Sequence, residues 1–210
     1  MVAYKGMFST IESVSGLESA LFGMRNPMNS WNLSDSTWDN EYDCLCVGEK
    51  DMGLCERLIK AGHEHRKFLR MIHVQLDVNM PRYWWSEADT YHFGTKNSCS
   101  TMHKLLNSKK GIEMSDFYVE YEDLELILKG TIDQLNHMRD VYLDTKDINI
   151  LRRAKSILPE CFLQRRMWDT NYEELRNIYK QRKNHRLDKE WGLFLKELES
   201  LPYFEEFIKN

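Results

Sequence analysis

A chain of 210 residues with 42% hydrophobic residues, 30% charged residues and only 4 prolines has the composition of a globular protein, not of a disordered or fibrous one. At this length a domain buries about 70% of the surface of its unfolded chain, so one packed core suffices without staples. The formal net charge of -4 lacks the dense basic footprint that duplex nucleic acid demands, and no apolar run approaches the roughly 20 residues that span a bilayer.

The start MVAYKGMFST has no apolar signal region, so a cytoplasmic location without membrane partners is expected. Five cysteines, Cys44, Cys46, Cys55, Cys99 and Cys161, form no repeated CxxC pair, and reduced thiols are the expected state. Cys44-x-Cys46 with His63 and His65 matches no common ligand spacing, so no metal site is expected.

In chain order, Tyr4 to Val14 alternates as a strand and Leu17 to Met24 has helical spacing. Asn26 to Lys50 is rich in Asn, Ser, Asp and Gly and reads as a long loop, a length that usually marks function or mobility. Asp51 opens a helix that Gly62 stops in the manner of a left-handed cap. Arg70 to Val78 is a half-buried strand, with Ile72, Val74, Leu76 and Val78 on one face and Met71, His73, Gln75 and Asp77 on the other. Pro81 starts a helix carrying Tyr83, Trp84 and Trp85.

Further on, Asp123 to Leu143 is the longest helix, with Leu124, Leu128, Ile132, Leu135 and Met138 at three- and four-residue steps, and another helix ends near Ile157. Phe162 to Asp169 is a strand. Asn171 to Lys183 is a helix with an Asn-x-x-Glu cap of Asn171 and Glu174. Helices at Leu187 to Leu198 and near Phe204 close the chain. With no repeat or linker, residues 1–210 are expected to form a single α/β (α+β) domain: a central mixed or antiparallel sheet flanked by helices, with the loop at 26–50.

The helix after Asn171 places Arg182 on the same stripe as apolar Tyr172, Leu175, Ile178 and Tyr179. Arg182 either caps the helix end and reaches to water, or points its planar fork into a pocket at an anionic or carbonyl-rich ligand. Around it crowd Arg152, Arg153, Lys155, Arg165, Arg166, Arg176, Lys180, Lys183, Arg186 and Lys189. Phosphate is one counter-ion for such a set, and a solvated face is the other reading.

The run LPECFLQRRMWDTN, Leu158 to Asn171, resembles a stretch of the flavin-dependent thymidylate synthases, keeping its Leu-Pro, Arg165, Trp168 and Asn171 without a gap. The likeness continues through QRKNHRLDKEW, with Arg182 and Glu190 at family positions. Upstream, TYHFGTKNSCSTMH, Thr90 to His103, falls on the family signature with identities at Asn97 and Ser100. Thr90, Tyr91 and His92 stand there at the family's Arg-His-Arg, Ser98 at its glutamate and Met102 at an arginine. GHEH, Gly62 to His65, resembles the start of a flavin-contacting loop.

This resemblance implies a homotetramer whose sites combine several subunits around FAD, with methylenetetrahydrofolate as the one-carbon donor and a dUMP-like pyrimidine nucleotide as substrate. By position it implies Arg165 on the phosphate, Arg182 on the base as the catalytic arginine, and Ser100 also at the nucleotide. Asn97, Asn171, His63 and His92 would meet the flavin, although a helix-cap role suffices for Asn171. Methyl or hydroxymethyl transfer to C5 is the expected activity. The alternative is a catalytically silent protein that binds a nucleotide or nucleotide-like signal on the same fold.

Overall fold

The computed structural model describes residues 6–210, so Tyr4 and Lys5 of the first expected strand lie outside the described residues. Strand β1 runs Phe8–Ser15 and helix α1 Leu17–Met24, the latter burying Ala20, Leu21 and Met24. The expected loop at 26–50 holds more structure than its composition announces. Single 3₁₀ turns at Asn26–Met28 and Trp31–Leu33 precede a hairpin of β2 (Thr37–Asp39) and β3 (Cys44–Cys46). The hairpin is antiparallel, with Trp38 opposite Leu45. Asp39 Oδ1 closes its turn by accepting from the Glu41 and Tyr42 amides, at 2.8 and 3.2 Å.

Helix α2 spans Glu49–Ala61, two residues longer at its start than expected. Gly62 does end it at positive φ, but with ψ near 180° instead of the left-handed helical cap. Residues Lys67–Met71 coil into a 3₁₀ helix that buries Phe68 and Leu69, which delays β4 to His73–Pro81. The expected alternation holds: Val74, Leu76 and Val78 have no exposed surface, while His73 and Gln75 face water. Asp77 is the exception, on the polar face yet buried.

Helix α3 is Arg82–Ala88, with Pro81 its N-cap residue and Trp84 and Trp85 fully buried. Strand β5 (Thr95–Ser98) and the one-turn α4 (Thr101–Lys104) follow. Helices α5 (Glu122–Thr145) and α6 (Ile148–Ile157) come next. On α5 the core stripe is Leu128, Ile132 and Leu135, whereas Leu124 is exposed. Strand β6 (Leu163–Asn171) leads directly into α7 (Tyr172–Arg182), and the Asn171 side chain accepts from the Glu174 amide at 3.0 Å as the cap pattern predicts. Helix α8 is Asp188–Leu198, and a π-helical turn, Glu205–Lys209, ends the chain.

The larger sheet has strand order β1-β4-β6-β5, and helices alternate with its strands along the chain. With the antiparallel hairpin and an antiparallel bridge between Phe117 and Phe162, this is the expected α+β class. Contacts group the chain into two compact units, one of Met1–Ser9, Asp77–Thr90 and Lys96–Met167, the other of Thr10–Leu76, Tyr91–Thr95 and Trp168–Asn210. The first has a core of Leu106, Phe117, Leu135, Leu151, Ala154 and their neighbours. In the second, α7 packs on the 3₁₀ helix after α2 and on the C-terminal turn, burying Phe68, Tyr172 and Phe207 in edge contacts.

Candidate functional site

The first unit contains a cleft of about 300 Å³ whose lining includes Ser100, Thr101, Lys104, Lys110, Asp116 and Arg165. Strand β6 presents Arg165 outward next to buried Leu163, and β4 presents Asp77. The Arg165 Nε donates to both oxygens of Asp77 at 2.8 and 2.9 Å, and its Nη2 donates to Oδ2, a forked pairing that fixes the plane of the guanidinium. Phe8 lies under the cation at 5.3 Å. The Arg165 side chain is still 59% exposed while that of Asp77 is 8% exposed, and Arg165 lines the cleft.

Ser100 caps α4, its hydroxyl oxygen accepting from the His103 amide at 3.3 Å. The Cys99 amide donates to the Arg165 carbonyl at 2.9 Å, which ties the Ser100 segment to β6. Thus two of the three expected nucleotide residues, Arg165 and Ser100, share one cleft. Its lining carries three cations, Lys104, Lys110 and Arg165, against one acid, Asp116, a balance that suits a phosphate.

The second unit contains a cavity of about 330 Å³ lined by His63, Arg66, Arg70, Asn171, Arg176, Lys180 and neighbours. Two expected flavin residues, His63 and Asn171, therefore meet. Arg66 Nε is held by both carboxylate oxygens of Glu173 at 3.0 and 2.8 Å, and Arg70 Nη2 lies 2.7 Å from His63 Nε2. Arg176 is buried and donates to the carbonyls of Phe207 and Ile208 at 3.1 and 3.3 Å. Burial lowers the pKa of Arg176, helped by the charge of Arg66, and burial with the charges of Arg176, Arg66 and Lys183 lowers that of Lys180. Four cations face two acids, Glu173 and Glu174, in this lining. A polyanion would relieve the repulsion among them.

Arg182, at the end of α7, takes neither of its expected routes in full. Its guanidinium lies 4.8 Å from the Trp191 ring and 5.4 Å from the Tyr91 ring, and its Nε donates to the Tyr91 hydroxyl at 2.8 Å. That hydroxyl in turn donates to Gln181 Oε1 at 2.9 Å. Both rings are buried, so the arginine sits half-buried in an aromatic slot, which explains its place on the apolar stripe. It lines neither cavity above. His92 and Asn97 are exposed and also line neither.

Periodicity misses Asp77, Arg66 and Arg70. Asp77 sits on the strand face that alternation assigns to solvent, and only an acid opposite a later arginine could have hinted at it. Arg66 and Arg70 lie in a 3₁₀ segment and its cap, where helical spacing does not apply. No helix among the described residues is long and apolar enough to cross a membrane.

No protein-family model and no curated protein matches the chain. Solved structures do. The flavin-dependent thymidylate synthase ThyX of Helicobacter pylori, crystallised with FAD and dUMP, is similar at a TM-score of 0.72 and 18% identity, over 97% of this chain and 99% of that one. A second structure of the Helicobacter pylori protein with FAD and dUMP gives 0.71 and 18%, over 97% and 98%. At this identity the likeness is one of fold, and it extends over nearly the whole length of both chains.

Proposed function

We propose that this chain is a flavin-dependent thymidylate synthase-like protein that binds a dUMP-like pyrimidine nucleotide and transfers a one-carbon unit to its C5, as a cytoplasmic homotetramer. The observation that carries the reading is the cationic cleft in which Arg165 and Ser100 meet, on a fold shared end to end with a protein crystallised with FAD and dUMP.

In this reading Arg165, held flat by Asp77, donates its outer edge to the nucleotide phosphate while Lys104 and Lys110 add positive field. Ser100 keeps a hydroxyl proton to donate. Arg182 stabilises negative charge developing on the pyrimidine, the catalytic part, with its fork pre-oriented by Tyr91 and Trp191. FAD would be held by His63 and Asn171 with the cations of their cavity, and by Asn97 and His92. When bound it supplies hydride, and methylenetetrahydrofolate supplies the carbon.

A second reading is a silent nucleotide binder, and one observation favours it. Tyr91, at the middle position of the family's Arg-His-Arg, is buried and engaged with Arg182 and Gln181, and fixed charge is absent from its neighbours Thr90 and His92. Visible absorption of the purified protein, before and after incubation with FAD, separates the two. Oxidised-flavin bands, followed by loss of tritium from C5-labelled dUMP on adding methylenetetrahydrofolate and a reductant, are expected of the enzyme. A colourless protein that FAD does not reconstitute, yet that binds dUMP, is the silent form.

A further inference from the structure

Of the six tryptophans in the chain, Trp84, Trp85, Trp168 and Trp191 have no exposed surface. The other two, Trp31 and Trp38, are 41% and 49% exposed, and both line one cavity of about 570 Å³ in the second unit. Phe22, itself 59% exposed, lines it with them. Core packing does not account for three exposed aromatic side chains around one cavity, because each leaves in water an apolar area that a bound ligand would cover. A concave site of this size, part aromatic and part polar, has the dimensions of a small-molecule pocket.

The aromatic walls are held from several directions. Trp31 stacks on Phe22, with ring centroids 6.0 Å apart and planes 18° from parallel, and its indole Nε1 donates to Asn26 Oδ1 at 2.7 Å. Trp38 lies on β2 opposite Leu45 of β3, which also lines the cavity. Tyr203 pins that hairpin: its hydroxyl donates to the Leu45 carbonyl and accepts from the Val47 amide, each at 2.8 Å. Between Trp31 and Trp38 in the chain, the hydroxyls of Ser34 and Ser36 donate to buried Asp51 at 2.6 Å each. The walls therefore need little ordering when a ligand arrives, which lowers the entropic cost of binding.

Charge selects the ligand. The lining holds one cation, Arg25, and one acid, Glu18. Arg25 is buried, its Nε donating to Asp51 at 2.6 Å and its Nη1 to the Ser30 carbonyl at 3.3 Å, so its charge is already balanced. Glu18, in the first turn of α1, is exposed. What a ligand meets is thus a carboxylate and aromatic faces, both of which attract positive charge and oppose a phosphate. A flat ring covers more of an indole face than a compact ammonium does and fills more of the cavity.

We propose that this cavity binds a small aromatic cation, a flat heteroaromatic ring that stacks on the exposed indoles of Trp31 and Trp38 while Glu18 balances its charge. The site is independent of the nucleotide reading, because it shares no lining residue with the phosphate cleft or the cationic cavity.

Calorimetric titration of the full-length protein with three ligands built on one ring tests it: the cation 1-methylnicotinamide, neutral nicotinamide and anionic nicotinate. Affinity is expected to fall in that order. Trp38→Ala, checked for folding by circular dichroism, is expected to weaken the cation by about 5-fold or more, the loss of one stacking face. Glu18→Gln, a conservative change at an exposed position, is expected to weaken the cation by about 2- to 5-fold and to leave nicotinamide unchanged. No measurable binding of the cation at millimolar concentration would overturn the proposal. So would nicotinate binding as tightly as the cation, or equal affinity for the cation in wild type and a folded Trp31→Ala/Trp38→Ala double variant. Tighter binding of tetramethylammonium, a cation without a ring, would overturn it as well.

Discussion

Asp51 and Asp77 are buried by different means, and the difference predicts different behaviour. Asp51 is fully buried and accepts from Arg25 Nε at 2.6 Å, from the hydroxyls of Ser34 and Ser36, each at 2.6 Å, and from the amides of Asp35 and Ser36. Burial alone pushes its pKa up, but the bonds from Ser34, Ser36 and Arg25 outweigh it and leave the carboxyl below its ordinary value. A carboxyl whose folded pKa is depressed adds stability that is present above its unfolded pKa of about 3.9 and is lost as pH falls through the folded value. Asp51→Asn is therefore expected to flatten the decline of the urea midpoint below about pH 4. Asp51→Ala, which strands a buried arginine, should cost about 3 to 5 kcal/mol at pH 7. An unchanged midpoint in Asp51→Ala would mean the cluster holds nothing together.

Asp77 shares its charge with an arginine that solvent reaches, so its loss is milder. Arg165 can turn to water once released, and Asp77→Asn should lower stability by only about 1 to 2 kcal/mol. As a positioning residue, Asp77 acts on ligand binding through Arg165. Its asparagine variant should weaken dUMP while leaving deoxyuridine unchanged, a split that general loosening of the fold would not give. At this scale the sequence is a partial guide. Arg165 and Arg182 stand out by charge and by stripe, but the acid behind one and the tyrosine beside the other lie 88 and 91 positions away, which no local pattern encodes.

At the scale of elements, the segment between α1 and α2 separates what periodicity can read from what it cannot. Helix α5 and strand β4 are legible because five or more positions repeat their period. Strands β2 and β3 have three residues each, too few to show alternation, and turn-rich composition hides them. What orders this hairpin is long-range: the Tyr203 hydroxyl, 156 positions from Val47. Tyr203→Phe should remove two bonds and destabilise the hairpin by about 1 to 2 kcal/mol, speeding exchange of the Val47 amide by roughly 5- to 30-fold while α5 is unaffected. Unchanged exchange at Val47 would place the ordering elsewhere.

At the scale of the whole molecule, the fold class was legible and the grouping of contacts was not. The boundaries between the two units fall inside β1, β4 and β6, so breaking either unit frays strands of the other, and we expect residues 1–210 to unfold in a single cooperative transition. Separate transitions by fluorescence and circular dichroism would contradict this. Arg165 and Arg182 belong to different units. A site shared between subunits, as the resemblance implies, requires assembly, so light scattering should give four times the chain mass of 25.1 kDa. A strict monomer at micromolar concentration would leave each site incomplete.

The most direct test of the nucleotide assignment is calorimetric titration of wild type, Arg165→Ala and Arg182→Ala with dUMP and with deoxyuridine. If Arg165 holds the phosphate and Arg182 the base, Arg165→Ala weakens dUMP about 10-fold or more, from roughly 1.5 to 3 kcal/mol for one charge-assisted bond, and leaves deoxyuridine nearly unchanged. Arg182→Ala should weaken both ligands by a similar factor. If the wild type binds neither ligand, or if both folded variants bind as it does, the basic residues are a solvated face and the nucleotide assignment is wrong.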